Sequence, residues 1–384
     1  MGTRRVIHAI TPGDHFSPLT GSAVPTVVRL LAEAAALNGD LTHGVLLDRT
    51  TMSPRYGGAE LIEYDPAPGV SRSGRYLDAV AGRAGLIRPG AARWFGPLAQ
   101  AARTLPPADI LAHNAPLLPL LLRGSGHRVS LYAHNRLFRS YGRREADRVA
   151  GEAASLICVS EALAEDMRAV LPRSAASKLR VVENPVDAER FTPRSAGGPV
   201  RTGPPRILFV GRMIPQKGAA VLVAAAAEFA PDEAEFVLVG SQGFDAGSAL
   251  SGYERRLRRD AGRCRSVVRF LPFTDRRGLP DLYRDADILV MPSRGAEASG
   301  LTLGEGMATG LPIVASDLGG IPSVVGEVGV LVPPNDPHAL ARALRELIAD
   351  GARRRRLGEA GRERALQRSP AWAWAQLRAA LDAL

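Results

Sequence analysis

The stretch Ile288-Leu289-Val290-Met291-Pro292-Ser293-Arg294-Gly295-Ala296-Glu297-Ala298-Ser299-Gly300-Leu301-Thr302-Leu303-Gly304-Glu305-Gly306-Met307-Ala308-Thr309-Gly310-Leu311-Pro312 changes character twice. Four apolar residues, 288–291, read as a buried strand, a glycine-containing turn follows, and Gly300 leads into a helix. Strand, turn and helix in that order make one step of a parallel α/β sheet, and the same alternation extends in both directions. Strand-like runs lie downstream at 312–315 and 328–332 and upstream at 206–210, 235–239 and 267–271. Residues 192–205, rich in Pro and Gly and without periodicity, read as a linker. Before it a second alternation runs through 6–10, 43–47, 109–112, 128–133, 155–159 and 179–182, with a helix that Pro25 opens and Gly39 closes.

A chain of 384 residues exceeds what one hydrophobic core organises, so two domains of similar size are expected. The expected fold class is α/β: a Rossmann-like parallel-sheet domain over 1–195, a second over 196–368, and a last helix over 369–384. Trp372 and Trp374 stand two residues apart in that helix, on different faces, so it is expected to touch more than one surface and to cross back to the first domain. Ligands of such sheets bind beyond the carboxyl ends of the strands, here in a crevice between the domains.

Charged residues make up 23% of the chain and no run approaches the roughly 20 apolar residues of a membrane span, which predicts a soluble, globular protein. The apolar run 6–10 is too short for a secretory leader, so a cytoplasmic location is expected. Cys158 and Cys264 lie far apart and outside any CxxC pairing, which predicts two buried, reduced thiols. Of the 49 basic residues only Lys178 and Lys217 are lysines, an arginine preference that reads as codon bias and makes Lys217 a candidate for a role needing a compact point charge. The net charge of +10 brings no nucleic-acid motif with it, and Arg353-Arg354-Arg355-Arg356 reads as a solvated helix face, so nucleic acid is not an expected partner.

The chemistry-bearing residues follow two of the strands. After 206–210 comes Gly211-Arg212-Met213-Ile214-Pro215-Gln216-Lys217-Gly218: a glycine at a strand end lets a ligand approach the backbone, and two cations five positions apart converge on a diphosphate. After 288–291, Glu297 and Glu305 flank the turn into the helix. The N–H groups near Gly300, Leu301 and Thr302 face an anion there, and the carboxylates accept hydrogen bonds from sugar hydroxyls.

These motifs, together with Ser316-Asp317-Leu318-Gly319-Gly320-Ile321-Pro322 downstream and Val159-Ser160-Glu161 and Glu183-Asn184-Pro185-Val186-Asp187 upstream, resemble the donor cassette of the retaining GT-B glycosyltransferases of family 4. The resemblance is dense in the C-terminal half and loose in the N-terminal half. It implies two Rossmann-like domains facing an interdomain cleft and a nucleoside-diphosphate sugar as donor. Arg212 and Lys217 would hold the diphosphate, Glu305 the nucleotide ribose, Glu297 the sugar hydroxyls, and the loop at Leu271 would meet the base. Gly211, Gly300, Leu301 and Thr302 would line the donor site. In the first domain it puts His134 beside the transferred sugar and Gly21 close to the diphosphate, with His113 held as a supporting candidate. The sequence departs from the pattern at Ser323, expected to cap the helix that follows, and at Ser22, where a second glycine is usual.

Asp285-Ala286-Asp287 has the form of a metal motif but precedes a buried strand, where capping suffices, so no metal or other cofactor is expected. The glycines at 240 and 243 do not complete a dinucleotide fingerprint, which argues against an NAD enzyme. The segment 136–144 mixes arginines with Leu137, Phe138 and Tyr141; an exposed basic helix is expected, with a lipid-linked acceptor or peripheral membrane contact as the sharper reading. The predicted function is transfer of a hexose-type sugar to a glycan, lipid-linked sugar or natural product. Its rivals are a nucleotide-sugar epimerase of the same fold and a non-catalytic sugar-nucleotide binder.

Overall fold

A computed structural model describes residues 5–39, 43–195, 203–243, 247 and 249–383. Of the linker reading at 192–205, residues 196–202 lie outside these, as do 1–4 of the amino-terminal reading. The chain divides into two units, Met1–Ser17 with Ser22–Pro185 and Pro370–Leu384, and Pro18–Gly21 with Val186–Ser369. The division thus falls at 185/186, ahead of the Pro/Gly-rich segment.

The first unit carries a seven-stranded parallel sheet: β1 Val6–Ala9, β2 His43–Asp48, β3 Glu60–Tyr64, β4 Asp109–His113, β5 Arg128–Ala133, β6 Leu156–Cys158 and β7 Leu179–Val181. Its order is β3-β2-β1-β4-β5-β6-β7. Strands β1, β2 and β4 are buried along their whole length, as befits strands covered on both faces. β3 has no counterpart in the sequence reading. It is a sheet edge whose Glu60 and Glu63 face solvent and pair with Arg5 and with Arg49 and Arg55, so it lacks the apolar run by which the inner strands are recognised. The helix Ala23–Leu37 has Pro25 in its first turn, and Gly39 (φ +66°) follows its cap. Against it packs the terminal helix Pro370–Asp382, which buries Ala373, Trp374, Leu377, Ala380 and Leu381 in one stripe.

The second unit holds a six-stranded parallel sheet: β8 Arg206–Val210, β9 Glu235–Val239, β10 Val267–Leu271, β11 Ile288–Met291, β12 Ile313–Ser316 and β13 Val330–Val332. The order is β10-β9-β8-β11-β12-β13. From β8 the chain winds outward through β9 and β10; it then crosses back to β11 and winds the other way, which makes the β8/β11 junction the topological switch point. The last strand is shorter than expected, because Gly326–Val328 forms a 3-10 turn.

Some local readings need correction. Ser323 does not cap a following helix: it lies inside the helix Ile321–Val325, and its hydroxyl donates back to the Gly320 carbonyl. Cys158 is buried, whereas Cys264 is only half-buried. The 136–144 segment is no free basic helix. Arg136 pairs with Asp166, Phe138 is buried, and the Arg88 guanidinium lies 4.0 Å from the Tyr141 ring centroid while holding Glu145. In the acidic tripeptide, Asp285 pairs with Arg206, and Asp287 accepts from the Arg206 backbone N–H at 2.8 Å. Among the described residues no helix is long and apolar enough to cross a membrane.

Candidate functional site

In the second unit three loops meet at the switch point. The loop after β8 turns at Gly218, whose φ of +76° is left-handed and whose position would put a Cβ 1.7 Å from the Pro292 carbonyl oxygen. Only glycine tolerates both conditions. The Gln216 carbonyl accepts from Arg294 N at 2.8 Å and Gly295 N at 3.0 Å, tying this loop to the one after β11. The loop after β12 closes the arrangement: Gly320 N donates to the Glu297 carbonyl at 2.8 Å, and Gly319, at φ +60°, lies where a Cβ would sit 2.6 Å from that oxygen. The backbone of Glu297 is therefore held from beneath by two glycines that the sequence spaces 22 and 23 residues away.

The side chains complete the cluster. Lys217 Nζ lies 2.9 Å from both carboxylate oxygens of Glu297, and Ser293 Oγ donates to Oε1 at 2.9 Å. An ammonium with three N–H donors directs two at this carboxylate. The pair is partly exposed, 30% for the lysine side chain and 14% for the glutamate, so a ligand can reach it. Beside it Gly300 (φ +83°) precedes the helix Leu301–Ala308; Leu301 and Thr302, half-buried, form its first turn, where N–H groups point away from the helix body.

Glu305 lies elsewhere, on the inward face of that helix. It is 4% exposed, with Oε1 accepting from Arg276 at 2.5 Å and Oε2 accepting from the Tyr283 hydroxyl at 2.9 Å. Burial, then the charge of Glu305, drives the Tyr283 hydroxyl well above its usual range, so it stays a donor. The two glutamates thus differ: one open and lysine-paired, the other enclosed. Arg212 is exposed, and its Nε donates to the Gln242 carbonyl at 3.1 Å. Gln242 N in turn donates to buried Glu254, whose other oxygen completes a capping box with Ser251. Leu271 ends β10, half-buried, with its carbonyl accepting from Gly240 N at 3.2 Å. Gly211 N donates to Val239 O at 3.1 Å, and Gly240 (φ +138°) approaches so closely that a Cβ there would lie 2.0 Å from Gly211 O. Gly21 is exposed and belongs by its contacts to this second unit, as does Pro18, whose carbonyl accepts from Arg276 N at 3.2 Å. Arg276, Tyr283 and Ser293 were not legible in the sequence: an arginine-rich composition hides one more arginine, and neither hydroxyl stands in a motif.

In the first unit His134 follows β5 and is partly exposed. Its backbone N–H donates to Asn114 Oδ1 at 2.9 Å, and its Nε2 lies 2.8 Å from His113 Nδ1. Tyr132 stacks on both rings, with centroids 4.6 Å from His134 and 4.9 Å from His113. Burial pulls the His134 imidazole down to about 3 and His113 well below its usual range, so both are neutral at pH 7. Among the described residues no group of three or more His, Cys, Asp or Glu could hold a metal ion.

Two parallel α/β units in one chain, the second with a glycine-lined switch point, match the GT-B fold class. Solved structures share it: the chain superposes on Anabaena HepE, crystallised with UDP and glucose, with a TM-score of 0.72 at 19% identity, covering 99% of this chain and 100% of that one. It matches sucrose-phosphate synthase from Thermosynechococcus elongatus with a TM-score of 0.74 at 24% identity and the same coverage. The family model for glycosyltransferase family 4 matches residues 24–190, and that for glycosyl transferases group 1 matches 204–350. The chain belongs to the group 1, family 4 glycosyltransferases. Its relatives include a D-inositol 3-phosphate glycosyltransferase of Streptomyces bingchenggensis, 36% identical over 55% of this chain and 49% of that protein. A phosphatidyl-myo-inositol mannosyltransferase of Mycobacterium leprae is 38% identical over 46% of each. The aligned part of the chain spans about half the length of these curated relatives.

Proposed function

We propose that the chain transfers a hexose-type sugar from a nucleoside diphosphate to a hydroxyl acceptor, with retention at the anomeric carbon and in the cytoplasm. The observation that carries this reading is the Lys217–Glu297 pair at the β8/β11 switch point, beside the amino-terminal end of the helix Leu301–Ala308. It supplies a cation for the departing diphosphate, a carboxylate for sugar hydroxyls and backbone donors for phosphate oxygens within one set of loops. The UDP and UDP-glucose complexes of the structural neighbour HepE support a nucleotide-sugar donor.

Departure of the diphosphate leaves an oxocarbenium-like carbon and adds negative charge to the leaving oxygens. Lys217, Arg212 and the N–H groups after Gly300 oppose that charge. Glu297 holds hydroxyls next to the reacting carbon, Glu305 the ribose, the loop at Leu271 and Gly211 the base and phosphate side, and Gly21 completes the set. With Glu297 engaged by Lys217 and Ser293, and Glu305 enclosed by Arg276 and Tyr283, neither carboxylate is poised as a nucleophile. Front-face attack follows, the leaving phosphate taking the acceptor proton. These cations do the work a metal ion does elsewhere, so the proposed reaction needs none.

The test is a thermal-shift panel of UDP, GDP, TDP and ADP, followed by turnover of the matching sugar donor. Nucleotide release with the sugar delivered in its original anomeric configuration supports the reading. Epimerised donor, or binding without turnover across a broad acceptor panel, overturns it.

A further inference from the structure

Four histidines of the first unit form a continuous row. His43 Nδ1 lies 2.8 Å from His8 Nε2, His8 Nδ1 lies 2.9 Å from His113 Nε2, and His113 Nδ1 lies 2.8 Å from His134 Nε2. Strand register explains the row. Val6 pairs with His43, Leu111 with His8, and Tyr132 with His113, so each histidine stands one strand over and two residues further along than the last. Residues two apart share a sheet face, so all four rings lie on the same face, along a diagonal through β2, β1, β4 and the end of β5. Successive ring centroids are 5.0, 5.1 and 5.1 Å apart.

Proton counting restricts this row to two arrangements. A neutral imidazole has one N–H and one bare nitrogen, and each hydrogen bond needs one proton. Four neutral rings joined by three bonds must therefore all donate in the same direction, leaving one N–H at one end and one bare nitrogen at the other. The two ends are His43 Nε2 and His134 Nδ1, both buried and without a hydrogen-bond partner. The His43 end stops against Trp374, centroids 4.8 Å apart and planes at 72°. An aromatic ring accepts an N–H far better than it faces a lone pair. Placing the N–H at His43, against that ring, leaves the bare nitrogen on His134, the one member of the row that is not fully buried.

We propose that His43, His8 and His113 are positioning residues that act as one proton-ordered row, holding all four rings as Nε2–H tautomers so that His134 keeps a bare Nδ1 at the acceptor end of the row. Its effect on turnover rests on the function proposed above; the tautomer order does not. Burial holds His43 near 4 and His8 well below the usual imidazole range, which keeps the row uncharged at neutral pH.

The experiment is long-range proton–nitrogen NMR on the full chain labelled with 15N-histidine, at pH 7.5. Signals of His15, His127 and His338, which lie outside the row, are assigned by substitution. Four neutral Nε2–H patterns are expected, and an Nδ1–H or charged pattern for any of the four overturns the row. His8→Phe, which touches no substrate in the proposed site, cuts the row in its middle. Mixed tautomers at His134 and a fall in kcat of between ~10- and ~100-fold, with donor KM unchanged, are expected. His8→Gln, which restores a donor and an acceptor, recovers part of kcat. Unchanged tautomers and kcat in His8→Phe overturn the proposal even if the wild-type pattern is uniform. If instead His134→Ala turns over normally while the wild-type tautomers are uniform, it is the part of His134 in turnover that fails.

Discussion

The two units handle polar groups at their sheets in opposite ways. At the β8/β11 junction charge is retained: Lys217 faces Glu297, Arg276 faces Glu305, and each carboxylate also accepts from a hydroxyl. Along the diagonal through β2, β1, β4 and the end of β5, four neutral imidazoles instead satisfy one another as donors and acceptors. Charge is affordable where a partner stands within 3 Å, as in the second unit. Among the described residues no carboxylate hydrogen-bonds any ring of the row, and burial then decides protonation.

The largest effect that would break this contrast comes from Arg276→Ala. It leaves Glu305 buried and unpaired, which should cost ~3–5 kcal/mol and lower the thermal midpoint of the second unit, as read by calorimetry. Arg276→Met with Glu305→Gln should recover much of that loss. An unchanged midpoint in the single variant would show the pair to be dispensable. Next comes Lys217→Ala, expected to lower kcat by ~10²- to 10³-fold with the circular-dichroism spectrum unchanged. Near-normal turnover in that variant would remove Lys217 from the proposed machinery.

Acid should separate the units by mechanism. Unfolded histidines titrate near 6.5, while His43 titrates near 4 and His134 near 3 in the folded chain. Below pH 6.5 the unfolded state therefore binds more protons than the folded one. Stability of the first unit falls as pH drops from 6.5 toward 4, with His43 and His134 each contributing at most about 1.4 kcal/mol per pH unit. Denaturation midpoints of wild type and His8→Phe between pH 7 and 4.5 measure this, and the variant should show the shallower slope. Equal slopes would contradict burial as the cause. Smallest is Ser293→Ala, which removes one hydrogen bond to Glu297 and should cost ~1 kcal/mol.

Much of the architecture was legible because inner strands of parallel sheets are apolar along their length. The run 288–291 could be read without knowing its neighbours. β3 was not, since an edge strand keeps its glutamates in water. The glycines at 211, 218 and 300 and the carboxylate at 297 announced themselves by standing in the strand-to-helix loops after 206–210 and 288–291. That Lys217 binds Glu297, 80 residues later, depends on β8 lying next to β11, and strand order is not written in any local pattern. The same holds for the row. His134 and His113 entered through the family resemblance, but His8 and His43 gained meaning only once the register placed all four on one diagonal.

The contact between Gly218 and Pro292 also bears on engineering. With a carbonyl 1.7 Å from any would-be Cβ, and with Gln216 bonded to Arg294 and Gly295, the loops after β8 and β11 are one piece of backbone in two segments. A graft that imports either loop alone from a relative of different donor preference carries half a hinge pin, and libraries aimed at altered specificity should vary the two together.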